Sequence, residues 1–281
     1  MKEAKESVRI GACALLIEKE EKRQPVYYDK LFALCDGVLP GCGCDVVLLP
    51  ERYGYRASEE GPLDGPVGAR FSDLAQRHGL YLIAPIAERV GDEVYNTQVV
   101  YTPDREILFR YRKVQLTPEE KHTTAPGNEL DVFDLPWFRA GIVICYDNQF
   151  PETTRCLAVR GAQVIFFPSY GNERKPIQHT ARCLDNHVYM IGAGVIDRDC
   201  GLPDDAFEGG MVIDPEGNTL AESPTEEGMI TAELPLDSET GRLGLPKREH
   251  SYLEMRRPEC FGVLCQPAAD WSGDVQKARS S

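Results

Sequence analysis

A four-layer α-β-β-α sandwich in a single domain is the fold class that this sequence predicts, and three observations carry it. Apolar segments run in the order β-α-β-α-β-β twice over. The strands DVVLL, GIVIC and VIFF are apolar on both faces, as strands covered on both sides must be. The economical way to bury two such sheets is face to face, with the helices outside. The alternative on pattern alone is one doubly wound open sheet. Neither G-x-G-x-x-G nor G-x-x-x-x-G-K-[ST] follows any strand, so the dinucleotide and P-loop versions of that alternative lose their main support.

Each element has its own signal. VRIGACALL reads as the first strand, a helix follows over residues 26–39, and DVVLLPE is the second strand. A second helix over residues 67–78 is ended by Gly79. LYLIAPIAE, VYNTQVVYT and EILFRYRK, separated by the turns VGDE and PDRE, read as an antiparallel meander. The second half repeats the order. RAGIVICYD is a strand, PETTRCLAVRG a helix with Pro151 in its first turn and Gly161 at its end, and QVIFFPS a strand. A fourth helix covers residues 176–186, and VYMIGAGVI, GGMVIDPEGN and MITAELPL supply further strands, with DPEGN a hairpin signal. The domain is expected to span residues 1–265, and residues 266–281, polar and rich in small side chains, read as an arm or loose tail.

Composition excludes several function classes. The chain has 281 residues, 42% hydrophobic and 9% aromatic, enough to bury a sizeable core. Its formal charge of -14 is spread along the sequence, which makes nucleic acid a poor partner. The apolar run over residues 10–17 is broken by Glu18 and lacks a cleavage pattern, and no stretch approaches the length of a membrane span. Ten cysteines fall mostly inside apparent strands and helices, without an N-x-[ST] sequon, so a reducing, cytoplasmic setting is expected. Cys42 and Cys44 have no second Cys or His pair at zinc spacing and read as ordinary thiols in a turn. The five histidines form neither H-E-x-x-H nor H-x-H; of these only His122, near Glu120, draws notice. No metal or cofactor is expected.

Three ionisable residues stand at the ends of apolar strands: Glu51 closing DVVLLPE, Lys113 closing ILFRYRK and Cys145 closing GIVIC. Taken singly, such a Glu or Lys is ordinarily a solvated loop charge and such a Cys a small buried hydrophobe. Cys145 is the most informative of the three. The chain passes from a strand straight through C-Y-D-N-Q-F-P-E into a helix, which places the thiol near a helix N-terminus. There the helix charge and a nearby ammonium would favour thiolate over a reference pKa of roughly 8.5.

LLPE ending at Glu51, YRKVQL around Lys113, EKHTTAPG from Glu120 and GIVICYDNQFPE around Cys145 together resemble the nitrilase, or carbon–nitrogen hydrolase, superfamily. Arg155, GAQVIFFPS, ARCLDNHVYMIGAG, MVIDPEGN and RRPECF extend the resemblance from about Val8 to Leu264. It implies a Glu-Lys-Cys triad of Glu51, Lys113 and Cys145, a second acid-base or structural glutamate at Glu120 with Glu119 adjacent, the α-β-β-α sandwich, and a homodimer or larger homo-oligomer. The expected chemistry is hydrolysis of a small-molecule linear C–N bond through a thioester at Cys145. The backbone N–H of Tyr146 joins Lys113 in holding the oxyanion, and no cofactor takes part.

C-Y-D stands where true nitrilases carry C-W-E, so a small amide is favoured, with an N-carbamoyl amine or amino acid second and a nitrile third. Gln115 and Gly210 depart from common family residues and bear on the pocket. The loop of residues 169–175, with Tyr170 and Asn172, is expected to line the substrate pocket, or else to be a solvated polar loop. Arg155 and Arg182 are expected to pair with carboxylates such as Asp185. Two further readings are a thiol hydrolase whose base is a histidine in place of Glu51, and a non-catalytic binding module on the same fold.

Overall fold

The computed structural model describes residues 5–18, 21, 26–52, 61–170, 176–196, 209–223, 226–245 and 252–266. By its contacts the chain divides into a large unit, residues 1–247, and a small one, residues 248–281. The described part of the small unit holds two 3-10 turns, Pro258–Cys260 and Gly262–Cys265, with Arg257 Nε donating to Glu259 Oε1 at 2.8 Å. Most of the expected arm, residues 267–281, lies outside the described residues.

The described residues of the large unit form twelve strands and four α-helices. In chain order these are β1 (Ser7–Leu16), α1 (Tyr27–Val38), β2 (Val46–Leu48), α2 (Pro66–His78), β3 (Tyr81–Val90), β4 (Glu93–Tyr101) and β5 (Ile107–Arg112). There follow β6 (Val132–Asp134), β7 (Arg139–Ile142), α3 (Pro151–Val159), β8 (Val164–Tyr170), α4 (Pro176–Asn186), β9 (Tyr189–Ile196), β10 (Gly210–Ile213), β11 (Thr219–Ser223) and β12 (Gly228–Pro235). Among these residues no helix is long and apolar enough to cross a membrane.

The strands are hydrogen-bonded in the order β5-β4-β3-β2-β1-β9-β8-β7-β6, with β12 on β1 and the β10–β11 hairpin on β9. The two halves meet where the end of β1 runs parallel to β9, Ala14 opposite Gly194 and Leu16 opposite Ile196. The meander β3-β4-β5 is antiparallel, as its two short turns require.

Alternation along the strands sorts side chains into two cores. Cys13, Leu15, Val47, Leu49, Leu82 and Ala84 face Leu31 and Phe32 of α1 and Phe71 and Leu74 of α2. Their neighbours Ile10, Ala12, Val46, Leu48 and Ile83 point the other way, into a core shared with Ile142, Phe166 and Ile191 of the second half. On the far side, Phe167 of β8 meets His179 of α4 with ring centroids 4.8 Å apart. The layers are therefore helices, sheet half, sheet half, helices: the predicted sandwich. Phe109 on β5 stacks on Phe133 of β6 at 4.8 Å, bringing the two outer edges together and nearly closing the sheet.

Local signals behave as their chemistry dictates. Gly79 adopts φ 63°, the left-handed cap that ends α2 and that a residue with a Cβ takes only at a cost. Pro151 opens α3, where its missing N–H would be unpaired in any case. One expectation differs: the strand read over residues 139–147 ends at Ile142, and the chain winds into a 3-10 turn, Cys145–Gln149.

Candidate active site

Glu51 lies just past the end of β2, Lys113 just past the end of β5, and Glu120 opens a 3-10 turn, Glu120–His122. Burial and hydrogen bonding draw them together from three places in the sequence. Lys113 is only 1% exposed along its side chain, and its Nζ donates to Glu51 Oε1 at 2.8 Å and to Glu120 Oε1 at 2.9 Å. Two of the three ammonium N–H groups are thereby used and one remains. Asn96 of β4 bridges the same carboxylates, its Nδ2 donating to Glu51 Oε1 at 2.7 Å and Glu120 Oε1 at 3.4 Å.

The remaining oxygens are held as well. The backbone N–H of Tyr170 donates to Glu51 Oε2 at 2.9 Å, and that of Thr117 to Glu120 Oε2 at 2.9 Å. Tyr27 OH donates to the Glu51 carbonyl at 2.9 Å, fixing the backbone that carries the carboxylate. Burial pulls the Lys113 ammonium down, but the charges of Glu51, Cys145 and Glu120 outweigh it and hold its pKa well above the ordinary value. A lysine so placed is a permanent cation. Its coupling to Cys145 puts the thiol within electrostatic reach of the same cluster.

Cys145 itself is half-buried and has φ 45°, a left-handed conformation uncommon for a residue with a Cβ. Such strain is worth roughly 1–3 kcal/mol and persists only where the surroundings over-determine it. Buried Asp147, two residues on, supplies that determination: it accepts from the Ile144 N–H at 3.0 Å, from Gln115 N–H at 2.6 Å and from Tyr111 OH at 2.7 Å. Other described cysteines differ in kind. Burial pushes Cys35 and Cys44 up to about 12, and raises Cys13 and Cys183 well above the ordinary thiol value. Cys156, Cys260 and Cys265 are exposed.

The sequence-predicted residues thus fall as follows. Glu51, Lys113 and Glu120 are in direct contact. Glu120 is buried, and the adjacent Glu119 is exposed. Tyr146 is half-buried with its ring edge-on to Phe150 at 5.6 Å, and Tyr170 reaches the cluster through its backbone N–H. Asn172 and the rest of the loop, residues 171–175, lie outside the described residues. Arg182 donates to the Asn148 carbonyl at 3.0 Å, so it ties α4 to the 3-10 turn that begins at Cys145. His122 is exposed. Among the described residues no group of three His, Cys, Asp or Glu is arranged to hold a metal ion.

Two residues were missed by sequence reasoning. Asn96 carried a legible signal, since N-T-Q puts three polar residues in succession inside an apolar strand, a pattern that a merely half-solvated strand does not need. Asp147 was noted only as part of C-Y-D, because nothing local reveals that its carboxylate is turned inward.

Residues 16–241 match the model of the carbon–nitrogen hydrolase family. The chain is 32% identical over 215 residues to the human omega-amidase NIT2, covering 69% of this chain and 78% of that one. It is 34% identical over 212 residues to a nitrilase of Pyrococcus abyssi, with the same coverage. Among solved structures, a mutant of the amidase of Nesterenkonia AN1, from the nitrilase superfamily, superposes with TM-score 0.72 at 24% identity, covering 91% of this chain and 96% of that one. A family match over most of the length, on a sandwich that buries Lys113 between the carboxylates of Glu51 and Glu120, assigns this chain to the carbon–nitrogen hydrolase family.

Proposed function

We propose that the chain cleaves a small linear amide and releases ammonia, through a thioester on Cys145. The observation that carries this is the buried Lys113 ammonium clamped between Glu51 and Glu120, within electrostatic reach of a thiol held in a strained turn. Glu51 takes the thiol proton and Cys145 attacks the carbonyl carbon. The spare N–H of Lys113 and the backbone N–H of Tyr146 stabilise the oxyanion, and Glu51 passes its proton to the leaving nitrogen. A water activated by Glu51 or Glu120 then cleaves the thioester. With one cation between them, two carboxylates can act as base and then acid, one staying charged while the other changes state. Tyr170 and Asn172 are assigned to the substrate pocket.

The amidase reading over the nitrile one is supported by C-Y-D after the β7 strand. The resemblance in sequence motifs supports a homodimer as the working form, and cysteines placed mostly inside strands and helices, without an N-x-[ST] sequon, support the cytoplasm.

Ammonia release from a panel of small amides, ω-amides, N-carbamoyl compounds and nitriles, with Cys145→Ala in parallel, tests the proposal. Release from amides that vanishes in the variant is the expected result. Turnover retained by Cys145→Ala overturns the mechanism, and release confined to nitriles or N-carbamoyl compounds replaces the substrate class.

A further inference from the structure

We propose that Asp147 is a positioning residue for the Cys145 nucleophile: its buried carboxylate locks the turn carrying the thiol to the segment carrying Lys113. The inference rests on the assignment of Cys145 as nucleophile and goes beyond it.

Asp147 is fully buried and cannot touch substrate, so any effect it has must pass through its neighbours. Its two oxygens gather donors from two distant stretches of chain. Oδ1 accepts the Gln115 N–H at 2.6 Å, two residues past Lys113. Oδ2 accepts Tyr111 OH at 2.7 Å, two residues before Lys113, and the Ile144 N–H at 3.0 Å, immediately before Cys145. Its backbone is anchored in turn, the carbonyl accepting Thr153 Oγ1 at 2.8 Å and the Phe150 N–H at 3.1 Å at the start of α3. One side chain therefore brackets Lys113 on both sides and fixes the peptide leading into the φ 45° residue.

Only a carboxylate satisfies this arrangement. Both backbone N–H groups are obligate donors, and they lie on different oxygens. An amide in either orientation turns an NH2 group toward one of them. A buried N–H facing another donor loses its bond and its position. The hydrogen-bond donors and the Lys113 charge around Asp147 keep its carboxylate ionised at neutral pH. Burial pushes it up to about 6, while the Gln115, Tyr111 and Ile144 hydrogen bonds and the Lys113 charge hold it down. Tyr111, raised well above its ordinary value by burial and by Asp147, stays a donor.

Asp147→Asn and Tyr111→Phe in the full chain test the proposal. Three quantities are read against pH: kcat, KM, and the rate at which iodoacetamide alkylates Cys145, followed on its own peptide because Cys156, Cys260 and Cys265 are also exposed. For Asp147→Asn we expect kcat to fall on the order of 10²-fold with KM little changed, the scale of loss for a reacting group displaced by about 1 Å. The alkylation rate of the wild type should show an acid limb near pH 6 that is absent from Asp147→Asn. In Tyr111→Phe that limb should move to higher pH, because one bond holding the carboxylate ionised is gone. Wild-type kcat and pH dependence in both variants, whatever their melting temperatures, would reduce Asp147 to a structural residue. If Asp147→Asn does not fold, Tyr111→Phe alone decides. Turnover surviving in Cys145→Ala is a different result, and removes the nucleophile assignment itself.

Discussion

Lys113 and Asp147 are among the charges that the fold takes out of water, with Glu51, Glu88 and Glu120, and they bear on stability in different ways. Lys113 neutralises two carboxylates at 2.8 and 2.9 Å. Lys113→Met would leave Glu51 and Glu120 buried without their cation, which typically costs about 3–5 kcal/mol. Urea unfolding should show that loss, and turnover should fall on the order of 10⁴-fold or more, since such groups act as a unit. Asp147 is held up to about 6 in the fold against about 3.9 unfolded, so between those values the folded chain carries the extra proton. By linkage its ionisation weakens the fold as pH rises through that window, by up to roughly 3 kcal/mol at neutral pH. The stability of wild type minus that of Asp147→Asn, measured by urea unfolding from pH 4 to pH 7, should fall as pH rises.

At the scale of elements, two glycines separate a stability role from a role in the site. A Cβ on Gly79 would meet nothing within 4 Å, so Gly79→Ala costs only the backbone strain of φ 63°, about 1 kcal/mol. Its melting temperature should drop by roughly 2–4 °C with unchanged activity. Gly127 donates its N–H to the Lys113 carbonyl at 2.8 Å, and a Cβ there would stand 2.2 Å from the Arg112 carbonyl oxygen. Gly127→Ala must therefore push its segment off the end of β5, and activity should fall more than stability accounts for. Helix ends such as Gly79 and Pro151 were legible because capping is local chemistry. The early end of β7 was not, because the pull on the chain after Ile142 comes from donors on β5 and beyond.

Across the whole molecule, the core between the sheet halves holds the strand ends in register. Phe166 is fully buried there, its ring 6.4 Å from both Phe133 and Phe138. Phe166→Ala should cost about 3–5 kcal/mol, and the urea midpoint should fall accordingly. Val159, 52% exposed on α3, offers the control: Val159→Ala should stay within about 0.5 kcal/mol. The site depends on this core because Glu51, Lys113 and Cys145 follow β2, β5 and β7, strands drawn from both halves.

Period and punctuation in the sequence determined the order of strands and helices and the apolar faces, and they pointed to Glu51, Lys113 and Cys145 at strand ends, because each rests on neighbours within a few positions; Glu120 entered only through the family resemblance. The tertiary structure alone decided what those residues touch. Glu120 and Glu119 look alike in the chain, and only the fold buries one against Lys113 while leaving the other in water. Asn96 and Asp147 gain their partners from strands brought together by sheet formation, and an inward-turned polar side chain leaves no local trace of the donor that awaits it.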